Sequence, residues 1–274
     1  MDSAHSSTGD GPLVTVRDLT KKYGDFTAVD HIEVDVPSGE VFGVLGPNGA
    51  GKTTTMRMIT GLIEPTGGHI NIDGYDLSEE TVAAKKITGF IPDRPHIYEK
   101  LTTFEYLRFI GGLYDMEHAH IAERIDHLLT LFELREWSDS LVERFSHGRK
   151  QRLVFAGAML PEPRLLVIDE PMVGLDPKGH HLVKRLFRSL VEEQEMSILL
   201  STHTLEVAEE VCDRIVIVNH GRIIARGTLG ELRLESGETD GTLEEVFLRI
   251  TEESEDERDE AVARRFGNTT EEAS

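Results

Sequence analysis

Nine consecutive residues, Gly46 to Thr54, carry the residue types needed to bind a phosphate group. They read GPNGAGKTT and match the spacing Gly-x-x-x-x-Gly-Lys-Ser/Thr at every fixed position. Glycines tolerate backbone angles that other residues avoid, so successive amides in such a loop point inward at an anion. Lys52 adds a positive charge and Thr53 a hydroxyl suited to Mg²⁺. The stretch predicts a phosphate-binding P-loop, with a glycine-rich turn that matches by chance as the alternative. The predicted contact residues are Gly46, Pro47, Asn48, Gly49, Ala50, Gly51, Lys52, Thr53 and Thr54.

Two carboxylates follow an apolar run further along the chain. Leu165 to Ile168 has the length of a buried strand, and Asp169 and Glu170 come directly after it. The arrangement resembles the Walker B segment of P-loop ATPases, in which the first carboxylate holds Mg²⁺ and the second polarises an attacking water. One acidic pair at a strand end means little by itself. Together with a complete P-loop upstream, it predicts ATP hydrolysis.

His203 is a further candidate because it follows another apolar strand, Ile198 to Leu200. In parallel sheets, ligands collect at the carboxyl ends of the strands. His203 would then lie at the same edge as the two carboxylates and contact the γ-phosphate. The alternative is an ordinary histidine at the start of the helix from Leu205 to Val211.

Two candidates lie away from these strand ends. Tyr23 is an aromatic residue that would stack on adenine at the mouth of the phosphate site, or else serve in packing. Ser146 and Gly148 stand before an apolar-faced helix that reaches Met159, and a helix N-terminus is a second place where phosphate binds. Ser146 is equally suited to an ordinary N-cap.

Apolar periodicity predicts the elements that position these side chains. A strand over residues 40–45 leads into the P-loop, and a helix through Met56, Ile59 and Ile63 follows it. Alternating stretches on both sides of this unit predict a separate antiparallel layer. Residues 92–160 show helical spacing without a strand pattern. The expected fold class is α/β, with a P-loop ATPase core containing a mixed sheet, an antiparallel β layer and a helical subdomain.

Composition limits the domain organisation and the class of partner. The 274 residues include 50 acidic and 29 basic side chains, a formal net charge of −21. This balance argues against nucleic acid as a partner and suggests adaptation to high salt, where repulsion between like charges is screened. Residues 1–12 and the acidic residues 251–274 are expected to be disordered. Residues 13–250 would form one domain, into which the helical residues 92–160 are inserted.

Two further features bear on location. No apolar run approaches the roughly 20 residues that a membrane helix needs. Cys212 is the single cysteine, so no internal disulfide forms, in agreement with a reducing cytoplasm.

Taken together, the motifs resemble those of the ATP-binding subunits of ABC transporters. The segments GPNGAGKTT, LLVIDEP, GLDP and STHTLEVAEE occur in the family's order and spacing, and the match covers about residues 13–250. The resemblance implies that Tyr23 stacks on adenine, that Asp176 lies in the loop touching a partner subunit, and that His203 is the switch histidine. It also implies that ATP and Mg²⁺ are bound between two such subunits, in a homodimer or a heterodimer, each completing the other's site with its signature motif.

Two positions depart from the family pattern. The signature, usually Leu-Ser-Gly-Gly-Gln, is here Phe145-Ser146-His147-Gly148-Arg149, which puts a side chain where glycine normally lets the backbone approach phosphate. The loop glutamine that usually contacts Mg²⁺ and water is replaced by Asp93, whose carboxylate would still hold the ion. These two substitutions resemble ones found in ATPases that are paired with small exporter-type permeases. ATPase activity is therefore expected to be retained.

The sequence therefore predicts an ATPase that drives a separate membrane permease from the cytoplasmic face of the membrane. A soluble ABC-type ATPase of translation or DNA repair is the alternative, but those usually join two ATPase units or insert a long coiled coil, and neither is seen. A module that holds ATP without hydrolysing it is disfavoured by the intact Asp169 and Glu170 pair. Ile97, Tyr98 and Leu101 are the expected permease contacts, unless they close the subdomain's own core.

Overall fold

The computed structural model describes residues 11–94, 97–171, 177–194, 196–237 and 241–252. The strands are β1 (Val14–Tyr23), β2 (Phe26–Val36), β3 (Val41–Leu45), β4 (Gly67–Ile72), β5 (Tyr75–Asp76), β6 (Thr88–Ile91), β7 (Leu165–Asp169), β8 (Ser197–Thr202), β9 (Arg214–Asn219) and β10 (Arg222–Gly227). The helices are α1 (Lys52–Ile59), α2 (Thr81–Lys86), α3 (Thr103–Leu113), α4 (His118–Leu131), α5 (His147–Met159), α6 (Pro177–Gln194), α7 (Leu205–Val211), α8 (Leu229–Ser236) and α9 (residues 243–252).

The strands form two sheets within the described ranges. One has four strands in the order β2-β1-β4-β5, with antiparallel neighbours. The other has six in the order β10-β9-β3-β8-β7-β6, in which every neighbouring pair is parallel except β9 with β10. A mixed sheet accompanied by an antiparallel layer is the predicted fold class, which the structure confirms.

Strand β7 shows why a short apolar run becomes a central strand. Leu165 and Val167 face the cluster that includes α1 and the antiparallel sheet, whereas Leu166 and Ile168 face the cluster that includes α3 to α6. Because successive side chains point to opposite faces and both faces are covered, every position must be apolar. The apolar run ends before Asp169, the last residue of β7, which lies at the carboxyl end of the strands.

Helices α3, α4 and α5 form a layer on one face of the six-stranded sheet. The start of α3 is fixed by a capping box, in which the Thr102 hydroxyl accepts from the Glu105 amide at 3.2 Å and the Glu105 carboxylate accepts from the Thr102 amide at 2.8 Å. Such caps are worth about 0.5–2 kcal/mol. The layer ends with α5, so these helices position the segment from Ser146 to Gly148, which forms the start of α5.

Two helix boundaries differ from the prediction. Helix α1 ends at Ile59 and does not reach Ile63, because the Thr60 hydroxyl bonds back to the Met56 carbonyl at 2.9 Å and Gly61 adopts a left-handed φ of 63°. Helix α5 begins at His147, so Gly148 lies inside its first turn and does not precede it. Strand β6 and helices α2 and α8 were not predicted.

The chain ends are described only in part. Residues 1–10 and 253–274, which belong to the two segments expected to be disordered, lie outside the described residues. The first two positions of the second segment, Thr251 and Glu252, belong to α9, where the Thr251 hydroxyl bonds to the Phe247 carbonyl at 2.8 Å. None of the helices in the described ranges combines the length and the apolar character needed to cross a membrane.

Candidate functional site

The P-loop lies between β3 and α1 and presses against backbone on two sides. A Cβ atom at Gly46 would stand 2.2 Å from the Val218 carbonyl oxygen, and one at Gly51 would stand 2.5 Å from the Ala28 carbonyl oxygen. Gly51 also has a φ of 104°, which side-chain-bearing residues rarely adopt. Glycine is therefore required at both positions by the close approach of β9 and β2.

The inner side of the P-loop is held by the turn between β9 and β10. The Gly221 amide donates to the Ala50 carbonyl at 2.9 Å, and the Gly221 carbonyl accepts from the Asp30 amide at 2.8 Å. The apex of the loop, residues 47–49, is exposed. The loop is thus fixed from behind, while its apex and the N-terminus of α1 remain open to a ligand.

Lys52 folds back over its own loop. Its ammonium donates to the Gly46 carbonyl at 2.8 Å and to the Pro47 carbonyl at 3.1 Å, and the residue is only 6% exposed. Burial lowers the pKa of Lys52, while the nearby Glu170 and Asp169 carboxylates raise it. The Glu170 Oε1 atom is 3.9 Å from the ammonium. The lysine is therefore a buried cation at the base of the loop, with a carboxylate close by.

Asp169 is the most buried carboxylate of the site, at 2% exposure. Its Oδ1 atom accepts from the Thr53 hydroxyl at 3.2 Å and also from the Ser201 hydroxyl. The second contact follows from register, because Asp169 in β7 pairs directly with Ser201 in β8. Ser201 was not predicted, since a serine at the end of an apolar strand has no distinctive pattern.

Glu170 leaves the strand in an unusual conformation. Its φ is 55°, and its amide donates to the Ser201 carbonyl at 3.1 Å. Non-glycine residues with a positive φ are uncommon and concentrate at functional sites. The turn directs the carboxylate to His203, whose Nδ1 atom is 2.8 Å from Glu170 Oε1. Lys52, Thr53, Asp169, Glu170 and His203 therefore form one connected group at the carboxyl edge of the sheet.

Hard oxygen donors at this edge are suited to Mg²⁺. The Thr53 hydroxyl and the Asp169 carboxylate are already adjacent, and carboxylates and hydroxyls are the ligands that Mg²⁺ accepts together with phosphate oxygens and water. No group of three or more His, Cys, Asp or Glu side chains that could enclose a metal occurs in the described part of the chain.

Several predicted site residues are not joined to this group. Tyr23 lies at the end of β1, is 52% exposed, and has the Lys21 ammonium 5.3 Å from its ring centroid. Asp93 is exposed in the loop after β6, and no hydrogen bond joins it to Thr53 or Asp169 within the described ranges. Asp176 lies outside the described residues.

The segment from Ser146 to Gly148 is on a separate surface. Ser146 is the N-cap of α5, yet its side chain makes no capping hydrogen bond, and Ser146 and His147 are exposed. A Cβ atom at Gly148 would meet nothing within 4 Å. Packing within this chain therefore does not require glycine at position 148. His147 and Asp93 line the same cavity, of about 870 Å³, together with Ile97, Tyr98, Leu101 and Phe109.

Comparison with known proteins gives a consistent result. The model of the family described as "ABC transporter" matches residues 29–173. "Probable multidrug ABC transporter ATP-binding protein YbhF" of Escherichia coli (strain K12) is 36% identical over 241 residues, which are 87% of this chain and 41% of that protein. The chain thus spans about two fifths of the length of YbhF. "Nod factor export ATP-binding protein I" of Cupriavidus metallidurans is 37% identical over 220 residues, 80% of this chain and 72% of that protein.

Two solved structures extend the comparison. The structure described as an ATP-binding subunit of an ABC transporter has a TM-score of 0.81 and 37% identity, and the match covers 87% of this chain and 99% of that one. An ATP-binding cassette described as a dimeric post-hydrolysis state bound to ADP and Pi has a TM-score of 0.72 and 25% identity, with 79% and 98% covered.

Proposed function

The chain belongs to the ABC transporter family as an ATP-binding subunit, and from this premise we propose that it hydrolyses ATP to drive transport through a separate membrane permease. The single observation that carries hydrolysis is the connected group at the carboxyl edge of the sheet, where Glu170 Oε1 lies 3.9 Å from the Lys52 ammonium and 2.8 Å from His203 Nδ1. One relative is named as part of an ABC transporter and another for export, which favours transport over a role in translation or DNA repair. We take residues 13–250 as the ATPase domain, with residues 92–160 as its helical subdomain.

The P-loop would hold the phosphates of ATP. Its backbone amides and the N-terminus of α1 favour anions, and the Lys52 ammonium would exchange its two carbonyl contacts for phosphate oxygens. Thr53 and Asp169 would hold Mg²⁺, with Asp93 as a further ligand directly or through water. When bound, the ion neutralises charge on the phosphates. Tyr23 would stack on the adenine ring, since its ring at the end of β1 is 52% exposed.

Glu170 would act as the base that polarises the attacking water. Its carboxylate follows a left-handed backbone and contacts His203, which orients it within the site. His203, which is half-exposed, would orient the water and contact the γ-phosphate. The group would thus supply a base, a cation and two oxygen ligands for Mg²⁺ at one site.

The test is Glu170→Gln, which removes the base and keeps the shape. We expect ATP binding to persist and turnover to fall by about 10²-fold or more, the contribution typical of general base catalysis. The matched control is Glu206→Gln, an exposed carboxylate in the first turn of α7 that should leave turnover unchanged. Steady-state ATPase rates and ATP titrations of both variants provide the measurement. Normal turnover in Glu170→Gln would refute the assignment.

A second subunit would complete the site. Ser146 and His147 are exposed, and position 148 is open. Both facts fit a segment that reaches the nucleotide of a partner subunit, with Asp176 in the adjoining contact. His147 would add a side chain, and hydrogen-bonding capacity, at this contact. The partner would be a second copy of this chain or a related subunit.

The permease would dock on the cavity beside Asp93. Tyr98 is 59% exposed and packs edge-on against Phe109, with their ring centroids 5.2 Å apart. Ile97 and Leu101 are only partly buried and pack against the core of the helical layer. An aromatic surface next to the Asp93 loop would let a change at the γ-phosphate reach the membrane protein. The subunit would then lie on the cytoplasmic face of the membrane, in a complex of the exporter type.

A further inference from the structure

Helix α5 begins without the contacts that usually fix the start of a helix. The side chain of its N-cap, Ser146, makes no capping hydrogen bond, and its first turn contains no acidic residue. The turn instead carries Arg149 and Lys150, although cations are unfavourable beside the positive end of a helix. The segment from Ser146 to Gly148, which is proposed to reach a partner's nucleotide, must therefore be held in another way.

The side chain of Trp137 supplies a contact from outside the helix. The Arg149 guanidinium carbon lies 3.7 Å from the centroid of the Trp137 ring, inside the range of about 6 Å for a cation–π interaction. Phe145, which directly precedes the N-cap, packs edge-on against the same indole, with ring centroids 6.1 Å apart and an interplanar angle of 86°. One indole thus contacts a residue on each side of the N-cap and bridges the start of α5.

Trp137 is itself held by the start of α3. It is the last residue of a 3₁₀ turn, Arg135–Trp137, and it packs against the core of the helical layer. The Ser138 carbonyl, one residue later, accepts from the Phe104 amide in the first turn of α3 at 3.0 Å. The start of α3, which is fixed by its capping box, therefore supports the indole and, through it, the start of α5.

The Arg149 guanidinium is not drawn away from the indole by a carboxylate. It forms no ion pair with any residue in the described ranges, and it is only partly exposed. The other cations near the start of α5 behave differently, since Lys150 pairs with Glu99, and Arg152 pairs with Glu133 at 2.6 Å. The aromatic face of Trp137 is therefore the contact that fixes the Arg149 side chain.

We propose that Trp137 and Arg149 are positioning residues for the two-subunit ATP site. Their stack holds the segment from Ser146 to Gly148 in the orientation in which it contacts the nucleotide of a partner subunit. This inference rests on the proposed function, and it acts through the first turn of α5 without either side chain touching ATP. If Arg149 instead contacted a phosphate directly, Trp137 would have no part in the reaction.

Fluorescence tests the stack without nucleotide, because Trp137 is the only tryptophan in the sequence. Arg149→Ala uncovers one face of the indole, so we expect acrylamide to quench the isolated chain more strongly and the emission maximum to shift. Arg152→Ala is the matched control on the same helix, since that guanidinium pairs with Glu133, and it should leave both readings unchanged. Unchanged quenching and emission in Arg149→Ala would overturn the stack.

ATPase assays of the protein assembled with its partner subunits test positioning. Arg149→Ala and Trp137→Leu should each lower kcat by about fivefold, the factor that corresponds to about 1 kcal/mol from one cation–π contact. The double variant should lower kcat no further, because both substitutions remove the same contact. Trp137→Phe keeps an aromatic face and should restore most of the rate. ATP binding by the isolated chain should be unchanged in every variant, since its own P-loop is intact.

The outcomes separate a failure of this inference from a failure of the proposed function. Absence of turnover by the assembled wild-type protein, or normal turnover in Glu170→Gln, would refute the proposed function, and the fluorescence measurement would still test the stack. If the wild-type protein turns over ATP, the positioning role is overturned by a normal rate in Trp137→Leu, or by a double variant whose loss is the product of the two single losses. A matching loss of ATP binding by the isolated chain would also overturn it, because the defect would then lie in the chain's own site.

Discussion

Removing one hydroxyl, in Ser201→Ala, tests whether the register between β7 and β8 positions Asp169. Ser201 is fully buried and donates to Asp169 Oδ1, whose other side-chain partner is the Thr53 hydroxyl at 3.2 Å. The substitution removes few atoms, so the cavity it leaves is small. The lost hydrogen bond dominates the effect.

The expected cost follows from the charge of the acceptor. Hydrogen bonds to charged groups contribute about 1.5–3 kcal/mol, against about 0.5–1.5 kcal/mol for neutral pairs. For a chain of this size, 1 kcal/mol shifts the thermal midpoint by roughly 2–4 °C. We therefore expect Ser201→Ala to lower the midpoint by roughly 3–12 °C. Because Asp169 is then less well fixed, the Mg²⁺ concentration for half-maximal ATPase should rise by about tenfold, as for other residues that orient metal ligands.

Strand β8 contains a matched control at its other end. Ser197 is also fully buried, but its hydroxyl accepts from the neutral Gly39 amide at 2.7 Å, far from the carboxyl edge of the sheet. Ser197→Ala should cost about 0.5–1.5 kcal/mol and leave the Mg²⁺ requirement unchanged. Urea unfolding and Mg²⁺ titrations of ATPase activity compare the two variants. If both variants lose the same stability and neither changes the Mg²⁺ requirement, Ser201 contributes only to packing and does not position Asp169.

Three other predictions follow from the surface of the molecule. Gly148→Ala should keep or slightly raise stability, since alanine favours helix by up to about 1 kcal/mol. It should nevertheless lower ATPase activity if, as proposed, position 148 contacts the nucleotide of a partner subunit. An unchanged rate in an assay of the assembled protein would contradict this. Tyr98→Ala should fail to recover the permease in a pull-down while keeping its fold and its basal ATPase activity. The control, Phe104→Ala on α3, should still recover the permease. Recovery of the permease by both variants would exclude Tyr98 from the interface. The thermal midpoint of unfolding should rise from low to molar KCl, since salt screens the repulsion between like charges at a net charge of −21. A flat or falling midpoint would show that the acidic composition is not an adaptation to high salt.

The strand ends were predictable because buried parallel strands leave a direct trace in the sequence. Leu165 to Ile168 and Ile198 to Leu200 are continuous apolar runs, and the residues after them emerge at one edge. The structure confirms the mixed sheet that this implies. Strand β6 was missed because Thr88-Gly-Phe-Ile91 is only four residues long and contains a glycine, which weakens any strand pattern.

The contacts within the site were less predictable than the elements. Ser201 is recognisable only from its register with Asp169, and the bond between Glu170 and His203 depends on a left-handed turn that no spacing rule indicates. Helix α1 stopped short of Ile63 for a similar reason, since a local hydroxyl contact at Thr60 decided its end. Apolar periodicity predicts which faces of an element are buried, but it does not predict which polar side chains form hydrogen bonds with each other.

The position of β3 in the sheet affects how the newly made chain acquires its nucleotide site. This strand, with the P-loop at its end, is hydrogen-bonded to β8 on one side and to β9 on the other. Both partners are synthesised roughly 150 residues later, which at about 5–20 residues per second is on the order of ten seconds or more. Until then the apolar Val41–Leu45 segment has no partner on either edge, and the turn at Gly221 that supports the loop does not yet exist. The P-loop is therefore encoded early and assembled late, and the nascent chain carries an exposed strand through most of its synthesis.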